Sequence, residues 1–148
     1  MSYERLMHEH DRIDAALWAL SALTRADTPD VSVVVIALSD LAGELDRHLA
    51  HEDSFIYPKT ISGASGDASD IASAFVEEFA ELRADWGLYL REWTSEGIAA
   101  DWAGFRAETA AMVARLAVRV RAENKLLYAA ALNASVIRLR EQKALEAA

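Results

Sequence analysis

The chain has 148 residues, the size of one ordinary domain, and its composition of 53% hydrophobic and 26% charged residues predicts a packed core rather than disorder. Its formal net charge of −9 and the lack of a basic stretch disfavour nucleic acids and anionic membranes as partners. Cysteine is absent, which excludes disulfides, zinc–thiolate sites and thiol catalysis, so any metal must be held by His, Asp and Glu. The charged N-terminus lacks the apolar core of a signal peptide, and the apolar run Val33–Leu38 is too short to span a membrane. We therefore expect one soluble, cytoplasmic domain spanning residues 1–148.

The first predicted helix runs from about Tyr3 to Arg25. Glycine and proline are scarce, with 6 and 2 copies, which favours long helices over many turns. His10 falls in a gap of the apolar stripe, so we expect it to face the core. The stripe consists of Leu6, Ile13, Leu17 and Leu20. Asp30 then follows a short turn and is the predicted N-cap of the second helix.

The second predicted helix runs from about Val31 to Tyr57, and its seam contains two polar residues. His48 and Glu52 occupy consecutive seam positions, where the core of a helical bundle is normally apolar. The seam consists of Val31, Val34, Leu38, Leu41, Leu45, His48, Glu52 and Phe55. The following segment, Lys59–Ser69, is rich in Gly, Ser and Asp and predicts a loop.

Two further helices are predicted at about Asp70–Trp93 and Ala99–Leu132. The fourth helix carries Arg119 and Glu123 on its seam, one turn apart. The last segment, Ala134–Ala147, contains good helix formers and predicts a fifth, shorter helix or a frayed extension of the fourth. The expected fold is therefore all-α, an antiparallel up-down four-helix bundle with a short C-terminal helical extension.

The five polar seam residues need partners, because burying a charge costs several kcal/mol unless it is paired or binds a metal. They are His10, His48, Glu52, Arg119 and Glu123. Residues four apart on a helix share a face, so the polar pairs of the second and fourth helices can point at one centre. Imidazole and carboxylate ligands on rigid helices suit iron, manganese or zinc. An internal ion pair between Glu52 and Arg119, and purely structural histidines, remain alternatives.

Three motifs of the chain resemble the hemerythrin HHE cation-binding family over roughly Leu6–Leu132. The first helix has Glu9-His10. The second has His48-Leu-Ala-His-Glu52-Asp53-Ser-Phe-Ile-Tyr57-Pro58, and the fourth has Arg119-Val-Arg-Ala-Glu123-Asn124-Lys125-Leu126-Leu127-Tyr128. The resemblance implies a bundle that holds two bridged irons. It also implies a role in binding oxygen, in sensing oxygen or redox state, or in handling iron.

The chain departs from the family pattern at two positions. Phe79 and Arg119 stand where the resemblance implies the histidines of the third and fourth helices. What remains is one half-site, formed by His10, His48, Glu52 and Glu123, and we predict that it binds at most one iron or other divalent metal. A guanidinium has no lone pair for a metal. We therefore expect Arg119 to pair bidentately with one of the carboxylates and Phe79 to fill the vacated space.

Three functions follow from a degenerate site of this kind. The first is a protein with one metal in a sensing, storage or small-oxidant-binding role. The second is a metal-free structural or regulatory interaction protein, with a homodimer contact at Val33–Ile36 as one option. The third and weakest is a mononuclear metal oxidoreductase, because no substrate or cofactor motif accompanies the site. We accordingly expect a binding protein rather than an enzyme.

Overall fold

The protein folds into an antiparallel four-helix bundle, as the helical periodicity predicts. The computed structural model describes residues 1–63 and 66–141. The first arm is α1 (Tyr3–Leu23), and the second is α2 (Val31–His51), a first π turn (Glu52–Ile56) and α3 (Tyr57–Gly63). The third arm is α4 (Asp67–Glu78) and α5 (Ala80–Glu92), followed by the short α6 (Ser95–Ala100). The fourth is α7 (Trp102–Ala122), a second π turn (Glu123–Leu127) and α8 (Tyr128–Asn133). Helix α1 packs against α2 and α7, while α4 packs against α3 and α8.

The first two arms begin where capping residues predict. The Ser2 side chain accepts a hydrogen bond from the backbone N–H of Arg5 at 3.1 Å, and Asp30 caps α2 through the N–H of Val33. Helix α1 ends at Leu23, two residues before the predicted Arg25. The four predicted stripe residues of α1 are all buried.

The predicted loop Lys59–Ser69 is wrong over most of its described length. The helix of the second arm continues through Pro58 to Gly63, and α4 already begins at Asp67. The first π turn explains why the proline is tolerated. The backbone N–H of Tyr57 donates to the Glu52 carbonyl five residues earlier, so the regular ladder is already shifted where Pro58 lacks its N–H.

The predicted third and fourth helices are each divided. The third breaks at Phe79, whose backbone (φ −97°, ψ 5°) leaves the helical region between α4 and α5. The fourth begins only at Trp102, because Asp101 caps α7 by accepting a hydrogen bond from the N–H of Gly104 at 2.9 Å. A Cβ atom on Gly104 would collide with that carboxylate, so the cap requires glycine at this position.

The predicted C-terminal helix is wrong in its described part, Ala134–Glu141. The chain leaves α8 at Ser135, which has a positive φ of 59°, and returns along the N-terminus. The carbonyls of Arg138 and Leu139 accept hydrogen bonds from the N–H groups of Tyr3 and Glu4 at 2.6 and 3.1 Å. These bonds satisfy first-turn donors of α1 that no helical partner can reach. The remainder of the predicted segment lies outside the described residues.

The core has two apolar clusters, one above and one below the polar seam residues. The larger cluster includes Ile13, Leu45 and Val120, and the smaller includes Leu6 and Leu127. His10 falls between Leu6 and Ile13, His48 and Glu52 between Leu45 and Ile56, and Glu123 between Val120 and Leu127, so each lies between members of the two clusters. In the part of the chain that the structure describes, no helix is long and apolar enough to cross a membrane.

Candidate metal centre

Four polar residues from three arms meet at the boundary between the two core clusters. His10 comes from α1, His48 lies in the last turn of α2, and Glu52 and Glu123 are each the first residue of a π turn. Their exposed fractions are 2%, 2%, 0% and 1%, so all four are buried as the seam pattern predicts. Groups of this kind are found inside a bundle only when they are paired or bind a cation.

Three of the four predicted ligands converge on one point. His10 Nε2 lies 3.0 Å from His48 Nε2 and 2.8 Å from Glu123 Oε2, and His48 Nε2 lies 3.1 Å from the same oxygen. His10, His48 and Glu123 form a group whose donor atoms could hold one metal ion. Glu52 lies beside this group, with its Oε1 2.9 Å from His48 Nε2.

The outer nitrogens of both imidazoles contact oxygen acceptors. His10 Nδ1 lies 2.7 Å from Asn124 Oδ1, and His48 Nδ1 lies 3.0 Å from Glu9 Oε1. These acceptors take the Nδ1–H of each ring, so each Nε2 faces the centre and offers its lone pair there once its proton has left. Metal-binding histidines are usually held in this way by an outer acceptor.

The converging acceptors need a positive charge between them. Two Nε2 lone pairs and a carboxylate oxygen about 3 Å apart repel one another unless a cation or a proton lies among them. In the metal-free protein a proton meets this need. Burial lowers the pKa of His48, but its contacts with Glu123, Glu52 and Glu9 outweigh burial and raise that pKa to about 11.

Glu52 is a buried carboxylate without a hydrogen-bond donor. Both of its oxygens lack a partner among the described residues, because the short contact with His48 does not have hydrogen-bond geometry. Burial, followed by the negative charge of Glu123, raises the pKa of Glu52 to about 7. Burial acts in the same direction on Glu123, but hydrogen bonds from His10 and His48 hold the pKa of Glu123 well below its usual range. An unpartnered buried carboxylate beside two oriented imidazoles fits a cation-binding site.

Arg119 and Phe79, the two positions where the family resemblance implies histidines, are in contact with each other. The guanidinium carbon lies 4.8 Å from the centroid of the Phe79 ring, which packs against both core clusters. The predicted bidentate pairing of Arg119 is wrong. Its Nε donates to Glu123 Oε1 at 2.9 Å, whereas Nη2 donates to the Tyr57 hydroxyl at 3.1 Å and lies 3.9 Å from Glu52 Oε1.

Tyr128 and Asn124 belong to the site, although neither was predicted as a site residue from the sequence. The Tyr128 hydroxyl lies 2.9 Å from His10 Nε2, in the middle of the site, and Asn124 orients that imidazole. The sequence does contain a signal for Tyr57 and Tyr128, the two tyrosines near the site. Glu52 and Tyr57 have the same five-residue spacing as Glu123 and Tyr128, and a π turn lies between the members of each pair.

The other two histidines lie outside the converging group. His8 is exposed on α1, as expected from its position off the stripe. His51 is one-third exposed and contacts Glu9 through Nδ1, so Glu9 holds two imidazoles at once.

A small cavity adjoins the site on the side of Arg119. Its volume is about 20 Å³, which is enough for a water molecule. It is lined by His48, Arg83, Arg119 and Glu123 and by apolar side chains that include Leu82 and Trp86.

Comparison with known proteins agrees with this architecture. The family model of the hemerythrin HHE cation binding domain matches residues 1–131. No curated protein and no solved structure matches the chain. The match covers every residue of the site described above and all four arms except the last two residues of α8. The chain belongs to the hemerythrin HHE cation-binding family.

Proposed function

We propose that this domain binds one metal ion, iron in its working form, through His10, His48 and Glu123, with Glu52 beside them, and responds to a small oxidant. The observation that carries the proposal is the convergence of two imidazole Nε2 atoms on one buried carboxylate oxygen. Asn124 Oδ1 contacts Nδ1 of His10, and the Glu9 carboxylate contacts Nδ1 of His48. Both imidazoles are therefore oriented with Nε2 toward an ion at the centre.

The chemistry of the donor set supports a transition metal. Neutral imidazoles and carboxylates suit iron, manganese and zinc, and the nearly complete burial of His10, His48 and Glu123 excludes bulk water from the ion. A bound iron would supply a coordination position and one-electron redox chemistry. The protein's part is to hold the ligand atoms on rigid helices, to orient the imidazoles and to limit access.

One ion per chain is favoured over two. The second half of the family site contains Arg119, whose fixed positive charge lies against Glu123 and near Glu52. A dication placed there would be repelled by the guanidinium and would find Phe79 where a ligand is needed.

A sensing role fits the dimensions of the site better than storage or catalysis. A single buried ion in a chain of 148 residues is a poor store of iron. The adjoining cavity of about 20 Å³ has room for about one water, a size that suits a small oxidant better than an organic substrate. We therefore propose binding of a small oxidant rather than turnover of a larger substrate.

A metal-free regulatory domain is the second candidate, and a specific contact favours it. Arg119 already donates to Glu123 Oε1 at 2.9 Å, so one carboxylate is neutralised without a metal. In that case the domain would act through contacts with a partner protein, and the buried histidines would serve only the stability of the bundle.

Variants of two histidines on α1 separate the candidates. We expect His10→Ala to lower the affinity for ferrous iron at least about tenfold, because it removes a ligand. His8→Ala is the matched control, since His8 is exposed on the same helix and should leave the affinity unchanged. Anaerobic titration with ferrous iron measures both, and equal affinities in the two variants would overturn the proposed ligand set.

A further inference from the structure

The hydroxyl of Tyr128 lies among the three converging ligand atoms. Its Oη is 2.9 Å from His10 Nε2, 3.1 Å from His48 Nε2 and 3.4 Å from Glu123 Oε2. The side chain is completely buried, and these three atoms are its hydrogen-bonding neighbours in the described structure. A phenol has one hydrogen to donate, so it can donate to only one of these three atoms at a time.

The second π turn brings this hydroxyl to the site. In an α-helix, residues five apart point in directions that differ by more than a quarter turn. Here the backbone N–H of Tyr128 donates to the Glu123 carbonyl, a spacing of five residues, which aligns the two side chains on one face. The π turn therefore makes Glu123 and Tyr128 neighbours at the centre.

The four donor atoms have the dimensions of a tetrahedral metal site. All six separations among His10 Nε2, His48 Nε2, Glu123 Oε2 and Tyr128 Oη lie between 2.8 and 3.4 Å. The centre of a regular tetrahedron with edges of this length is about 1.9 Å from each corner, close to the roughly 2.0–2.1 Å of metal–nitrogen bonds. A small outward movement of the four side chains would accommodate an ion.

We infer that Tyr128 is the fourth ligand of the metal ion, giving a donor set of two imidazoles, one carboxylate and one phenolate. This inference rests on the proposed function, because it adds a ligand to the same ion. Coordination replaces the phenol O–H bond by an O–metal bond, and the proton leaves to the solvent. A phenolate is a hard, anionic donor, so its presence favours ferric over ferrous iron and over softer ions.

Burial explains why the phenol stays protonated until a metal arrives. Burial, followed by the negative charges of Glu123 and Glu52, raises the pKa of Tyr128 well above its usual value. In the metal-free protein the hydroxyl therefore acts as a hydrogen-bond donor to the acceptors around it.

Tyr57 is a matched control for Tyr128. It follows the first π turn at the same distance from Glu52 and is also buried, but its hydroxyl accepts a hydrogen bond from Arg119 Nη2 at 3.1 Å. Tyr57 thus lies in the half of the site that contains the Arg119 guanidinium, and we expect it to make no bond to the ion.

The test is the visible absorption of the iron-loaded full chain. The protein is loaded with ferrous iron without oxygen, oxidised in air and freed of unbound metal, and its iron content is measured with its spectrum. We expect a phenolate-to-ferric charge-transfer band in the wild type and in Tyr57→Phe, and loss of the band in Tyr128→Phe. Zinc-loaded protein should show no band, because zinc has no accessible redox state.

The outcomes separate the ligand assignment from the one-metal proposal. Bound iron without a band, or a band that survives in Tyr128→Phe, would overturn the role of Tyr128 and leave the one-metal proposal standing. A chain that binds no iron would overturn both. If Tyr128→Phe does not fold, resonance Raman spectra of the wild type and Tyr57→Phe decide the question. Phenolate modes in both would support Tyr128, and their absence from either would contradict it.

Discussion

Arg119 is the buried cation on which the metal-free site depends. Its side chain is 7% exposed, donates to Glu123 Oε1 at 2.9 Å and lies 3.9 Å from Glu52 Oε1. Arg119→Ala would leave two buried carboxylates without their fixed positive neighbour and would remove the contact with the Phe79 ring. Breaking a buried ion pair from one side costs about 3–5 kcal/mol. For a domain of this size, that cost lowers the Tm by roughly 6–20 °C.

The assay is thermal unfolding of chelator-treated protein, followed by circular dichroism. Arg115→Ala is the matched control on the same helix, because Arg115 is 42% exposed and pairs with Asp85 at the surface at 2.9 Å. An exposed pair contributes no more than about 1 kcal/mol, so this control should melt close to the wild type. Ferrous iron should recover part of the loss in Arg119→Ala by binding only the folded state. If the two variants melt within about 2 °C of each other, the assignment of Arg119 as the stabilising buried charge is refuted.

Three further variants test the site and its surroundings. Phe79→His combined with Arg119→His should raise the iron content from about one to about two per chain, because it restores both lost ligands; an unchanged content would contradict the half-site account. Glu9→Gln should weaken iron binding by roughly 10–100-fold, because it removes the charge that orients an imidazole ligand, and isothermal titration measures this. Thr109→Val should cost about 1–3 kcal/mol in chemical denaturation, because it leaves the buried Tyr89 hydroxyl, now 2.7 Å from the Thr109 oxygen, without a partner. Adding Tyr89→Phe to Thr109→Val should return much of that stability, and a further loss would show that the hydroxyl pair is not the cause.

The seam residues were predictable because helical periodicity dictates which face is buried. His10 and His48 interrupt regular apolar stripes on α1 and α2, and both side chains are 2% exposed. The same periodicity predicted the burial of Arg119 and Glu123 on α7 and in the second π turn. A polar residue on an apolar stripe is therefore informative about a site even before its partners are known.

The contribution of Tyr128 was not predictable from that periodicity. If the fourth arm were a regular α-helix throughout, Leu127 would follow Glu123 on the buried face. Tyr128 would then point away from Glu123. The π turn changes the register, and it becomes visible only in the i→i−5 hydrogen bond from Tyr128 to Glu123. The predicted end of the second helix at Tyr57 was wrong for a related reason, because a π turn before Pro58 lets the helix continue.

The ends of the helices depended on contacts between distant parts of the chain. The segment from Ala134 contains good helix formers, yet its backbone returns to pair with the first turn of α1. Local propensity cannot anticipate hydrogen bonds between residues more than a hundred positions apart, such as Tyr3 and Arg138. The cap formed by Asp101, by contrast, is local and could have been read from the sequence.

The most direct test of the one-metal account is the iron content of the wild-type chain after anaerobic loading with ferrous iron and removal of unbound metal. The account predicts about one iron per chain, because the half-site of His10, His48 and Glu123 is complete while Arg119 occupies the other half. A content near zero would contradict the proposed site and favour the metal-free domain. A content near two would show that residues on the Arg119 side can act as ligands after all.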